Sequence, residues 1–82
     1  MATKQQRETA SKRLTEILIE ASLADTDEKM NEILVETLWI TPNLTINRIK
    51  KIKQDLINKA IENNMHVASA RLEKMFPNID MK

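Results

Sequence analysis

The sequence contains no cysteine, no glycine and no tyrosine, and its 82 residues include one tryptophan, one phenylalanine, one histidine and two prolines. Each gap excludes something. Without cysteine there is no disulfide framework, no thiol nucleophile and no thiolate zinc cluster. Missing glycine removes the usual residue of tight β-hairpins and of phosphate-cradling loops. A lone His66 has no second histidine for a metal and no cysteine to activate, so it reads as an ordinary helix-terminus residue. Apolar runs are also short: none approaches the roughly 20 residues that a membrane helix needs. The polar start "MATKQQRETASKR" lacks the apolar centre of a secretory signal. These absences predict a soluble, cytoplasmic chain with no cofactor, no metal and no membrane span. Its length fits one domain over 1–82, with 1–8 frayed and 77–82 a tail.

Charge is nearly balanced at +1 overall, which gives no global electrostatic argument for nucleic acid. Its distribution is uneven. Residues 1–13 hold four basic residues against one acidic, residues 14–41 one against seven, and residues 42–82 eight against four. A basic, acidic, basic order suits antiparallel helices that neutralise one another, or a chain that pairs head to tail with a copy of itself.

Hydrophobic periodicity predicts helices throughout, punctuated by Pro42 and Pro77. "TKQQ" sets a capping hydroxyl at Thr3 three residues before Gln6, and the helix it opens runs to about Ser22. Ala10, Leu14, Ile17, Leu18 and Ala21 line its inner face. Ile19 and Leu23, four apart, form a second stripe on the far side. In "ADTDEKMNEILVETLWITP", Asp25 or Asp27 caps a helix that runs to Pro42. Met30, Ile33, Leu34, Thr37 and Leu38 are its inner residues, while Val35 and Trp39 point elsewhere. A third helix starts from Thr41 and Pro42, or from Asn43 or Thr45, and reaches Asn63 or Asn64. Ile46, Ile49, Ile52, Leu56, Ile57, Ala60 and Ile61 cover about half its circumference. A fourth helix spans about Met65 to Phe76, with Met65, Ala68, Leu72, Met75 and Phe76 inward. Asparagine, which tolerates the left-handed conformation, marks the break between the two, unless they form one kinked helix. The expected architecture is all-α, a small bundle of three to four helices whose limited core dimerisation would complete.

Two features carry a functional reading beside a structural one. Arg48, Lys51, Asp55 and Lys59 share one line on the third helix, a largely solvated face, whereas Lys53 falls in the middle of the apolar arc with Lys50 at its border. Lys53 either snorkels along its stem to the rim of the core, or marks a seam where an acidic helix docks, such as the one bearing Glu28, Glu32 and Glu36 in the same or another copy. Trp39 is either a plug over the helix junction or, with Val35, Ile19 and Leu23, an exposed anchor for another protein. A helix-turn-helix reading would send Thr45, Asn47, Arg48 and Lys51 to base edges and Lys50, Lys53 and Arg71 to phosphates. Against it stand Asp55 on the same face, the acidic preceding helix and the missing turn glycine. The residues therefore favour a non-enzymatic protein binder that self-associates, with Val35, Trp39, Lys50, Lys53, Ile19 and Leu23 as its contact set. DNA binding through the helix around Thr45–Lys53 is the alternative.

The length, the cysteine-free, lysine- and asparagine-rich helical composition and the run "WITPNLTINRIKKIKQDLINKAIENN" look like the small early proteins of T-even-type phages. As a whole the chain resembles the lysis-inhibition accessory family of that group, which act as cytoplasmic antiholins. The resemblance is one of overall character, and no residue role is carried over. It implies a protein that binds the cytoplasmic, amphipathic N-terminal part of the holin and delays host lysis.

Overall fold

A computed structural model describes residues 3–76. It is an all-α bundle: α1 Lys4–Ser22, α2 Asp27–Leu34, α3 Thr37–Ile40 with a 3-10 turn Thr41–Asn43, α4 Ile46–Glu62 and α5 His66–Lys74. The expected tail over 77–82 lies outside the described residues.

Capping chemistry explains where the helices start. Thr3 and Gln6 form a reciprocal capping box, so α1 is already wound at Lys4, inside the stretch expected to fray. Thr26, rather than Asp25 or Asp27, caps α2 by accepting from the Lys29 amide, which leaves Asp27 and Glu28 in the first turn where the helix dipole favours acids. Thr45 caps α4. Of the candidate starts for that helix it is the one used, because Thr41–Asn43 is spent on a 3-10 turn with Pro42 in its first positions.

The helix end at Asn64 follows from its left-handed backbone, which asparagine tolerates. Asn64 takes φ 60°, the Met65 amide reaches back to the Ala60 carbonyl at 2.8 Å and the Asn64 amide to Ile61 at 3.1 Å. This pair of bonds around a left-handed residue is a Schellman motif made without glycine. It separates α4 from α5 and folds α5 back over α4.

Leu14, Ile17, Leu18 and Ala21 of α1 are fully buried, and Ile49, Ile57 and Ala60 of α4 with Ala68, Leu72 and Met75 of α5 close over Leu14, Leu18 and Ala21. The α2 side contributes Met30, Ile33 and Leu34 as partly buried packing. Arg71 on α5 donates to the Ala24 carbonyl and faces Asp27 at 3.9 Å, pinning the α1–α2 turn to the last helix. Two expectations need correction. Leu38 is 67% exposed, not inward, and the segment from Asp27 to Pro42 is not one helix. After Leu34 the winding tightens: the Leu38 and Trp39 amides bond to Val35 and Glu36, three residues back. The Thr37 hydroxyl bonds to Leu34 and that of Thr41 to Thr37, bonds that bend helices and turn Leu38 outward.

Candidate protein-interaction surface

The six residues singled out from sequence fall in three separate places. Val35, Leu38 and Trp39 form a protruding apolar knob on the α2–α3 bend, with Trp39 77% and Val35 56% exposed. Trp39 is therefore not a core plug. Its support is polar. Arg13 on α1 grips Glu36 with two bonds, Nε to Oε2 at 2.7 Å and Nη2 to Oε1 at 2.9 Å. Buried Thr37 ties the bend to Leu34, and Asn43 Nδ2 donates to the Trp39 carbonyl at 3.4 Å. The hydrogen bond from Arg13 holds the Glu36 carboxyl below its ordinary value of 4.5, while Glu36 holds the guanidinium above its own. An aromatic ring on a bend fixed in this way is presented to solvent with part of its ordering cost already met.

Ile19 and Leu23 lie elsewhere, at the C-terminal end of α1. There they wall an apolar cleft with Leu56 of α4 and Met65 at the start of the α5 segment. Met65, expected inward, is partly exposed in this cleft, because the Asn64 turn swings it to the surface. Arg13 meets Glu36 roughly 9 Å up the α1 axis from Ile19, so this cleft and the Trp39 knob are distinct surfaces.

Lys50 and Lys53 make the third place, and only Lys50 belongs to the surface. The Lys53 residue is 4% exposed, and its ammonium donates to the carbonyls of Met75 at 2.6 Å and Glu73 at 3.1 Å. Those carbonyls end α5, where unpaired acceptors and the negative end of the helix dipole attract a cation. The expectation that Lys53 marks a seam open to an acidic helix is corrected accordingly: the fold has consumed it. Neither snorkelling to the rim nor phosphate contact describes it.

Sequence reasoning missed one cluster. Lys4 and Arg7 of α1 and Arg48 of α4 converge, with Glu8, on a hollow at the N-terminal ends of the two helices. Their spacing within each helix is visible in the sequence, but the parallel alignment of α1 with α4 that unites them is not. No helix among the described residues is long and apolar enough to cross a membrane. No protein-family profile, no curated protein and no solved structure matches the chain.

Proposed function

We propose that this chain is a non-enzymatic, protein-binding regulator whose anchor is Trp39. The observation that carries the reading is the 77% exposure of the only tryptophan on a bend held by Arg13–Glu36 and by threonine hydroxyls. Exposed tryptophan beside Val35 and Leu38 is the residue type most enriched at binding hot spots. The resemblance to the lysis-inhibition accessory family supports a more specific form: a cytoplasmic antiholin that binds the cytoplasmic N-terminal segment of a phage holin and delays lysis. The test is titration of that holin segment, as a peptide, into the full chain. Trp39→Ala is expected to weaken binding by about 2 kcal/mol or more with the helical spectrum unchanged. No binding of the segment to the wild-type chain removes the antiholin reading. Binding untouched by the substitution removes Trp39 as its anchor.

A helix-turn-helix-type DNA-binding regulator is the second reading. It rests on the exposure of Asn47, Arg48 and Lys51 at the start of α4, where Arg48 and Lys51 enter no ion pair among the described residues. Arg48→Ala with Lys51→Ala would then lower affinity for duplex DNA and flatten its salt dependence. Absence of binding at low salt in the wild-type chain excludes it.

A further inference from the structure

One face of this molecule matches one groove of the same molecule in the order of its chemistry. On α2 and the bend into α3, Glu28, Glu32, Val35 and Trp39 recur at spacings of four, three and four, a row that starts on α2 and ends on the bend. All four are exposed. Glu28 enters no ion pair among the described residues, and Glu32 shares only a long, exposed one with Lys29 at 3.8 Å. The line is acidic at its start and apolar at its end. It covers eleven residue steps across the α2–α3 bend.

The groove lies between α1 and α4, which run side by side in the same direction. At its N-terminal end stand Lys4, Arg7 and Arg48 against Glu8. One turn along α4 and two along α1, Thr15 faces Ile52 and Asp55. At the C-terminal end Ile19 and Leu23 face Leu56, with Lys59 at the rim. From Arg48 to Leu56 the α4 wall runs eight residue steps, and from Arg7 to Ile19 the α1 wall runs twelve. Basic at one end and apolar at the other, the groove is the chemical complement of that line. Lys4, Arg7 and Arg48 enter no ion pair among the described residues, so their charge is available.

We propose that the outward line of α2–α3 in one copy lies in the α1–α4 groove of a second copy. Trp39 sits against Ile19, Leu23 and Leu56, and Glu28 and Glu32 face Lys4, Arg7 and Arg48. Helix-in-groove recognition supplies the packing, and the charge order selects the direction. The occupant is a second copy because the groove carries, in reverse sign and in the same order, the charge-then-apolar pattern that this chain itself presents on α2 and the bend. Line and groove are different surfaces, so the contact is heterologous and head to tail, unlike an apolar stripe shared across a two-fold axis. This goes beyond the partner reading and shares Val35 and Trp39 with it, so a bound partner and a second copy exclude each other at the knob.

The test is sedimentation of the full chain across concentration at low and at high salt. Wild type is expected to associate reversibly, and more weakly at high salt. Two charge variants make the result specific. Glu28→Arg with Glu32→Arg turns the line basic, and Arg7→Glu with Arg48→Glu turns the groove acidic. Each alone sets like charges together, and the dissociation constant is expected to rise at least tenfold. Mixed in equal amounts, they restore opposite charges across the contact and re-associate. All four positions are exposed, and an unchanged helical spectrum is the control for folding. A wild-type chain that stays monomeric at every concentration overturns the proposal. So do variants that each associate like wild type, and a mixture of folded variants that does not associate. A wild-type chain that binds the holin segment but does not self-associate would sink this proposal alone, and one that self-associates but does not bind the segment would sink only the partner reading.

Discussion

Lys53 shows how one residue can change its meaning between sequence and fold. As a charge in an apolar arc it resembles a docking seam, yet its ammonium closes the C-terminal end of α5 through the Glu73 and Met75 carbonyls. A charged hydrogen bond to a buried partner contributes about 1.5–3 kcal/mol, and removing the donor also strands the acceptors. Lys53→Met keeps most of the aliphatic stem and removes the donor. It is expected to lower unfolding free energy by about 2 kcal/mol in chemical denaturation. A surface role for Lys53 would leave stability within about 0.5 kcal/mol of wild type. Glu36 is the opposite case, exposed and yet positioned. Its carboxyl is held below the ordinary 4.5 by Arg13, so its contribution to folding is complete above that pH and is lost as the pH falls through the lowered folded-state value. Thermal melts between pH 6 and the acid limit should therefore show a steeper acid loss in wild type than in Glu36→Gln. Parallel curves for the two proteins would remove the pair from the stability of the bend.

The elements divide by how much local chemistry decides them. The inward residues of α1 were legible because spacing at Ala10, Leu14, Ile17, Leu18 and Ala21 is regular, and all five are buried. Its start at the Thr3–Gln6 box was legible for the same reason: both partners are local. For the end of α4 the Asn63–Asn64 pair marks a candidate break but leaves one kinked helix open, and the left-handed Asn64 decides for the break. That end carries a direct test. Asn64 sits at φ 60°, where a Cβ without local polar compensation costs about 1–2 kcal/mol. Asn64→Ala should destabilise by about 1 kcal/mol and Asn64→Gly should be neutral or stabilising, read from denaturant midpoints. Equal midpoints for the two variants would mean that the turn relaxes out of the left-handed region. The segment from Asp27 to Asn43 was less legible. Its bend depends on the Thr37 and Thr41 hydroxyls choosing backbone carbonyls and on Arg13 reaching Glu36 from 23 residues away, and periodicity contains neither. Leu38 was misplaced on that account. The surfaces follow the same division: phase sets Val35 and Trp39 apart from the inner residues but leaves Trp39 open between plug and anchor, and the convergence of Lys4 and Arg7 with Arg48 depends on the packing of α1 along α4.

At the scale of the molecule, the core and the single fluorophore are in different places. Burial is concentrated in α1, α4 and α5, with Leu14, Ile17 and Leu18 fully enclosed, while the α2–α3 side supplies mostly partly buried residues and the exposed knob. Among the described residues, the buried core and the exposed apolar knob thus occupy different parts of the bundle. Loss of stability on removing a core side chain should follow the usual cost of a cavity, about 2–5 kcal/mol for Leu14→Ala or Leu18→Ala, while the Trp39 knob is free to vary in its contacts. Trp39 is already 77% in solvent in the single copy, so unfolding changes its surroundings little. Denaturant unfolding of dilute protein at high salt should therefore abolish the helical signal in circular dichroism with only a small change in tryptophan emission. Burial of the ring against an apolar surface, in a second copy or a partner, should shift that emission to shorter wavelength and protect it from acrylamide. A large emission change that coincides with the dichroism transition in the dilute, high-salt sample would place the ring inside the monomer and remove the exposed anchor on which both binding proposals depend.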